Sequence, residues 1–491
     1  MARQLDIPLT GIAAALDALR PWTERAAERA RTLGRPVLAA VRVPLDPADD
    51  LLAAALACPP GVPRWYLHQP AAGRTWLGLG AVAAVRPGPA CALGGLADAW
   101  QAWRPLVETD VPEALHWVGG AAFDTGPRLD PWRGWPSAEM WLPRVMFTRD
   151  GDEAACTVAV QAVPGQSAAE VWAAAADGWQ RWSGVPPERA EDPGARLSAA
   201  SLARSDGDRR PGTAFEDARD RWMRLVAETA SAIRAGRFDK VVLAREEVVP
   251  LGRPADIAAA LRALGRRYPE SGVFALWRGD QCFLGATPER LARVGTGSVE
   301  VDCLAGTAPR GRTPAEDARL ADWLLHSGKN LHEHSVVREW LRARLAPLCT
   351  HLEIPAEPGL KRLANVQHLH TPLAGRLRAG QNILTVADAL MPTPALAGSP
   401  QKEAMAYIRD REGFDRGWYG GAIGWAGMDG SGEFMVAIRC ALVGSVSAHL
   451  YAGAGIMGDS DPAAEWEETV LKLRPMKQAL GLEVGDDGGE S

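Results

Sequence analysis

The chain has 491 residues, with 54 Lys and Arg against 60 Asp and Glu and a net charge of -6. That length exceeds one typical domain and permits a sizeable buried core. The mildly acidic balance without a basic block argues against nucleic acid as a partner, and the longest apolar runs, such as 51–57, are too short to cross a bilayer.

The start, Met1-Ala2-Arg3-Gln4-Leu5-Asp6, lacks the apolar core of a signal peptide. Residues 1–205 are rich in Ala, Pro and Trp; Ala13–Thr32 reads as a helix, and Val37–Val43, Val145–Thr148 and Ala155–Val163 read as strands. No catalytic-looking polar cluster stands out there. The stretch 205–212 has linker composition. After it, Phe215–Arg234 has helical spacing of apolar residues, and a strand opens at Lys240. Pro314–Leu325 and Asn330–Leu345 read as helices, Tyr419–Ala426 and Phe434–Val443 as strands, and Pro462–Met476 as a last helix capped by Ser460 or Asp461. The tail 485–491 has a disordered composition, and no internal repeat is visible. Seven cysteines are scattered without CxxC spacing, so neither a zinc site nor a disulfide framework is expected, and a reducing cytoplasm is the simplest compartment. The pattern fits an α+β architecture with large antiparallel sheets.

Four groups of residues could carry chemistry. Lys240 opens an apolar strand; such a lysine is ordinarily a solvated edge residue, but burial would make a neutral amine available as a base. Glu289 follows Pro288 at a strand-turn bend, either paired with Arg290 at the surface or buried as an acid. Glu465 and Glu468 share a helix face with Lys472, which by itself suggests a surface ion-pair face. Gly453-Ala454-Gly455-Ile456 reads as a glycine-rich turn whose N–H groups could approach an anion.

Together these segments resemble the chorismate-utilising enzymes, and among them the isochorismate synthases. The resemblance rests on the run from Phe238 to Arg245, on Gly285–Arg290, on Lys329–His334 and on Glu465–Thr469, and it covers about 215–480. It implies two packed large antiparallel sheets surrounded by helices, with an active site between them and 1–205 as the variable N-terminal region. It further implies Lys240 as a general base toward water, since relatives that use ammonia carry Gln there. Glu289 would be the general acid, Glu333 and Glu468 the ligands of Mg2+, and Glu465 a neighbour acting through water. Gly306, Thr307, His368, Tyr419, Arg439, Gly453, Ala454, Gly455 and Lys472 would line the chorismate site, with Tyr419 and Arg439 clamping a carboxylate. Ala305 replaces the nucleophilic lysine of aminodeoxychorismate synthases, and Asn330 follows the isochorismate synthase pattern. Met391 and Ala308 depart from the family's frequent His and Arg. A salicylate synthase and an anthranilate synthase component I are the alternatives, and a monomer or a homodimer is expected. The long N-terminal region is nearer to menaquinone-pathway than to siderophore-pathway members.

Overall fold

The computed structural model describes residues 9–46, 50–59, 61–88, 93–183, 218–362 and 366–482. The linker at 205–212 and the tail at 485–491 lie outside them. The first half runs α1 (Leu9–Leu33), β1 (Val37–Pro44), α2 (Leu51–Ala57), β2 (Arg64–Gln69), β3 (Arg74–Leu79), β4 (Ala83–Val85), α3 (Leu93–Gln101), β5 (Val107–Glu108), β6 (His116–Ala121), β7 (Ala138–Leu142), β8 (Val145–Asp150), β9 (Glu153–Ala162) and α4 (Ala168–Ser183). The second runs α5 (Ala218–Arg234), β10 (Lys240–Pro250), α6 (Ile257–Arg267), β11 (Gly272–Arg278), β12 (Gln281–Thr287), β13 (Arg290–Val294), β14 (Ser298–Pro309), α7 (Pro314–His326), α8 (Gly328–Leu345), β15 (Cys349–Glu353), β16 (Gly359–Arg362), β17 (Val366–Leu377) and α9 (Ile383–Leu390). It ends with β18 (Gly398–Ser399), α10 (Gln401–Arg411), β19 (Ala422–Gly427), β20 (Gly432–Val436), β21 (Cys440–Val443), β22 (Ser447–Ile456) and α11 (Pro462–Ala479).

These strands form two sheets. The first orders as β18-β10-β22-β21-β12-β11-β2-β3-β8-β9-β1-β5, and the second as β15-β17-β14-β13-β20-β19-β6-β7-β4 with β16 on β17. All pairings are antiparallel except β1 with β5. Alternation along the strands sends one side chain to each face. The inward faces meet in an aromatic core of Trp65, Trp76, Phe274, Phe283 and Tyr451 from the first sheet and Val118, Trp141, Ile423 and Met435 from the second. Many of the tryptophans are anchors of this kind. The outer face of the first sheet packs on α1, α2, α6 and α11, and that of the second on α3, α8 and α9.

The backbone contains a repeat that the sequence conceals. Outward from the central β11–β2 contact, the first sheet runs β11, β12, β21, β22, β10 on one side and β2, β3, β8, β9, β1 on the other. The second sheet mirrors this about β19–β6, with β20 and β13 against β7 and β4. Leaving aside the two-residue strands β5 and β18 at the ends of the first sheet, in each half the chain changes sheet twice: β3 to β4 and β7 to β8, then β12 to β13 and β20 to β21. The run expected as one strand over 434–443 is therefore two strands in different sheets, broken at Ala437–Arg439. It stays apolar through the break because Ala437 remains buried between the sheets.

Candidate active site

The two crossings of the second half lie side by side. The Val436 N–H donates to the Glu289 carbonyl at 3.0 Å, the Ala286 N–H to the Arg439 carbonyl at 3.1 Å, and the Thr287 hydroxyl to the Val436 carbonyl at 2.6 Å. Glu289 and Arg439 are thus neighbours where the sheets separate. Arg439 makes the turn with φ 53, the left-handed region that costs a non-glycine residue roughly 1 kcal/mol or more and clusters at functional sites. Its guanidinium has no hydrogen-bond or ion-pair partner among the described residues, so it can receive an anion.

Glu289 keeps a rim of surface toward the cleft but is enclosed by protein. Burial pushes its carboxyl up to about 7, with Arg439, Lys361 and Lys472 pulling the other way. At neutral pH a large fraction carries its proton, as an acid catalyst must.

Opposite the crossings runs the end of β22. The Gly453–Ile456 segment, expected as a turn, is strand interior: Val242 pairs with Gly455, Leu243 with Ala454 and Ala244 with Gly453. The β21 pairing stops at Leu450, where the other sheet's crossing departs, leaving that edge of β22 open. The Val242 N–H bonds to the Ala397 carbonyl and the Ala244 N–H to Glu412, so these pairs do not use the ladder between β10 and β22. The N–H groups of Gly453 and Gly455 accordingly point to the open edge. Ala454 differs, because its side chain lies in the hydrophobic core and only its backbone can serve the cleft. A Cβ on Gly453 would stand 2.9 Å from the Tyr419 hydroxyl, and one on Gly455 would stand 2.8 Å from Lys240 Cε. Glycine at both positions makes room for a phenol and an amine. The Tyr419 ring stacks on Tyr451 with centroids 5.3 Å apart.

Lys240 begins β10 as expected, and its Nζ lies 3.0 Å from Glu333 Oε1 on α8. The helix starts at Ser327, whose hydroxyl also accepts from Asn330 Nδ2 at 2.8 Å, and Glu333 follows one turn later. On α11, Glu465, Glu468 and Lys472 share a face. Lys472 Nζ donates to the Gly453 carbonyl at 2.7 Å and to Glu468. Burial depresses the Lys472 pKa, against the pull of Glu468, and raises that of Glu465, against a hydrogen bond from Ser460, while Glu468 beside it pushes the same way as burial.

The far wall is the second sheet. Gly306, with φ 77, forms a bulge in β14 between Ala305 and Thr307, against which Asn330 packs. Thr307 Oγ1 lies 2.9 Å from His368 Nδ1 on β17. Burial lowers the His368 pKa, opposed by a hydrogen bond with the Gly306 backbone, and Arg439, Lys361 and Lys472 lower it further. His368 is therefore a neutral, oriented imidazole. Met391 packs on the hydrophobic core at the end of α9, and Ala308 is buried against Leu324 and Leu369.

The structure thus gathers the sequence-selected residues around one cleft, and it adds Lys361 on β16, which sequence reasoning passed over. No motif surrounds Lys361; only its pairing opposite His368 reveals it.

No group of three or more His, Cys, Asp or Glu side chains converges as a closed metal cage among the described residues. Glu333 and Glu468 nevertheless flank one stretch of β22, since their lysine partners sit over Gly455 and Gly453, about 7 Å apart along the strand. An all-oxygen set of two carboxylates, with Glu465 nearby, suits a hard cation that retains water, and does not suit zinc.

Comparison with known proteins gives one consistent picture. A family model described as chorismate binding enzyme matches residues 25–481. The salicylate biosynthesis isochorismate synthase of Pseudomonas aeruginosa is 37% identical over 482 residues, 98% of each chain. The isochorismate synthase MenF of Bacillus subtilis is 36% identical over 369 residues, 74% of each. Among solved structures, the menaquinone-specific isochorismate synthase MenF of Escherichia coli superposes with a TM-score of 0.75 at 25% identity, covering 96% of this chain and 100% of that one. Anthranilate synthase component I of Streptococcus pneumoniae shares the fold, with a TM-score of 0.63 at 19% identity, over 82% of this chain and 92% of that one.

Proposed function

This chain belongs to the chorismate-binding enzymes, and from that premise we propose that it is a magnesium-dependent isochorismate synthase. The observation that carries the reading is a lysine, Lys240, against Gly455 of β22, together with a carboxyl, Glu289, whose pKa is raised to about 7 and which lies within the field of Arg439 and of the Lys472 that bonds Gly453 on the same strand. One is suited to take a proton from water and the other to give a proton to a departing hydroxyl.

In this reading Arg439, the Tyr419 hydroxyl and the free N–H groups of Gly453 and Gly455 receive the substrate's carboxylates, because anions need donors that are already desolvated and aimed. Lys240 accepts a proton from a water molecule whose oxygen bonds to ring C2. The C1=C2 and C5=C6 double bonds move to C1=C6 and C4=C5, and the C4–O bond breaks. Glu289 supplies a proton to that oxygen, which leaves as water. One water enters and one departs, so the reaction is an isomerisation; Lys240 ends with an extra proton, Glu289 lacks one, and exchange with solvent resets both. The Lys240–Glu333 ion pair must part for the amine to act as a base. Glu333 and Glu468 would hold magnesium, which as a Lewis acid would supply charge stabilisation at the ring carboxylate.

The test is incubation of the protein with chorismate and magnesium, followed by separation of the products. Isochorismate in a mixture with residual chorismate, with little pyruvate, is expected. Pyruvate appearing as fast as chorismate disappears would replace this reading by salicylate formation, and turnover that depends on ammonia would reject both.

A further inference from the structure

We propose that the buried ion pair of Glu412 and Arg416 is a positioning unit: it fastens the short strand β18 to β10 and through it fixes Lys240 at the edge of the cleft. The consequence for the reaction rests on the reading of Lys240 as the base.

Little else holds Lys240 in place. Its strand is paired with β22 along nearly its whole length, but that pairing begins at Val241, opposite Ile456. Lys240 has its cross-strand partner on the other side, in Ser399 of β18. That strand is the outermost of the first sheet and consists of Gly398 and Ser399 alone. The Asp239 N–H bonds to the Ser399 carbonyl at 2.8 Å, and the Ser399 hydroxyl to Asp239 Oδ2 at 3.1 Å. So short a pairing is marginal by itself in water. Whatever anchors the chain next to β18 therefore sets where Lys240 stands.

The chain entering β18 comes alongside β10 at Leu396 and Ala397. The Val242 N–H donates to the Ala397 carbonyl at 3.0 Å. The neighbouring groups do not match, because the Val242 and Leu396 carbonyls are both acceptors and both residues are buried. Arg416 supplies a donor to each. Its Nη2 donates to the Val242 carbonyl at 2.8 Å and its Nη1 to the Leu396 carbonyl at 2.9 Å. One planar guanidinium thus clips the two segments together. Glu412 holds that guanidinium, accepting from Nε at 2.8 Å and from Nη2. The same carboxylate accepts the Ala244 N–H at 2.7 Å. The pair therefore continues the sheet edge where β18 runs out, with donors opposite carbonyls and an acceptor opposite an N–H.

The Arg416 and Glu412 side chains are only 3% and 2% exposed. Apolar side chains of similar volume are often as stabilising as a pair buried so deeply. Stability alone thus gives no reason for charges here. Geometry does, because no apolar side chain can bond two carbonyls and an N–H. Tyr419 depends on the pair less than Lys240 does. The Tyr419 N–H bonds to the Arg416 backbone carbonyl at 3.0 Å, which any side chain leaves in place, and its ring rests on Tyr451. The effect of the pair falls on Lys240, whose amine must stand against Gly455 and within reach of Glu333.

The test uses two variants. Glu412→Leu/Arg416→Met removes both charges, so neither is left buried alone, and Arg416→Lys keeps a charge beside Glu412 but loses the fork across the two carbonyls. Each is made in the wild-type chain and in Lys240→Ala. Amide hydrogen exchange over 238–242 and 397–399 should quicken by about tenfold or more in both variants, with exchange in β21 unchanged. In the wild-type background kcat should fall by about tenfold or more with KM within about threefold, since a displaced base weakens the transition state and not substrate binding. In Lys240→Ala the same substitutions should lower kcat by less than about twofold, because the group they position is already gone. Wild-type turnover or wild-type exchange in a folded variant would overturn the proposal, as would an equal loss of kcat in both backgrounds. Loss of the whole fold in both variants would overturn it too, since the pair would then determine the fold and not the placement of Lys240. Quickened exchange in a chain whose Lys240→Ala variant keeps full turnover would refute Lys240 as the base and leave the anchoring of β18 standing.

Discussion

Replacing Glu289 by Gln should separate its chemical role from its cost to the fold. Gln has the shape of the protonated acid and cannot ionise. The folded-state pKa of Glu289 is about 7 against an ordinary value of 4.5. Below pH 4.5 both folded and unfolded chains hold the proton, so the wild type and the variant should be about equally stable. Between 4.5 and 7 the unfolded chain releases the proton while the folded chain keeps it, so wild-type stability falls as pH rises. Above 7 the loss is complete, and 2.5 units at 1.36 kcal/mol each make it about 3 kcal/mol. Glu289→Gln should therefore be more stable than wild type by up to about 3 kcal/mol at pH 8, or about 3 °C in Tm for a chain of this size. Its turnover should fall by on the order of 100-fold or more, the usual contribution of a general acid. Thermal unfolding of both proteins at pH 5 and pH 8 reads the difference, and comparison of the pair removes the titration of every other group. A variant no more stable than wild type at pH 8, or equally stabilised at both pH values, would show that the carboxyl is not held neutral by the fold.

Lys240→Ala should fold and lose on the order of 100-fold or more in turnover; near-normal turnover in a folded variant would remove Lys240 as the base. Chelation should abolish activity and added magnesium restore it, while Glu468→Gln should weaken magnesium binding in calorimetry. Unaltered magnesium and substrate affinity in that variant would mean that Glu468 is not a ligand.

The sequence shows most of the site because its residues sit in contiguous, recognisable segments. Lys240 opens its strand where expected, and α8 and α11 carry Glu333 and Glu468 on their expected helices. What it hides depends on pairing between distant strands. An apolar run such as 434–443 reads the same whether the chain stays in one sheet or crosses to another, since both routes are buried. The Gly453–Gly455 segment looks like a turn because glycine usually marks one; here it clears space inside a strand for Tyr419 and Lys240. The repeat between the halves is invisible because it conserves strand order and crossings, not side chains. Glu289 has Val82 as its topological counterpart, and Arg439 has Arg144, whose Nη1 bonds to the Ala174 carbonyl of α4 at 3.2 Å. The first half thus keeps the crossing and fills the corner with its own helix. Lys361 escaped notice for a related reason: a lone lysine acquires meaning only through its cross-strand neighbour.

The paired crossings also have a mechanical meaning. Sheets packed face to face can slide and twist against each other, and a site between them would ordinarily change its dimensions with each such motion. Glu289 and Arg439 escape this, because each belongs to a strap joining the sheets and the straps are bonded to one another through Val436, Ala286 and Thr287. Glu289 and Arg439 therefore move as one rigid bracket. Lys240, Glu333 and Glu468 lie outside the bracket: β10 and α11 reach it through β22, and α8 packs on β14 of the second sheet. In the proposed reaction, any opening or closing of the cleft would then displace Lys240, Glu333 and Glu468 relative to a fixed Glu289–Arg439 pair, with the C4 end of the substrate held still while its C2 end is brought into place.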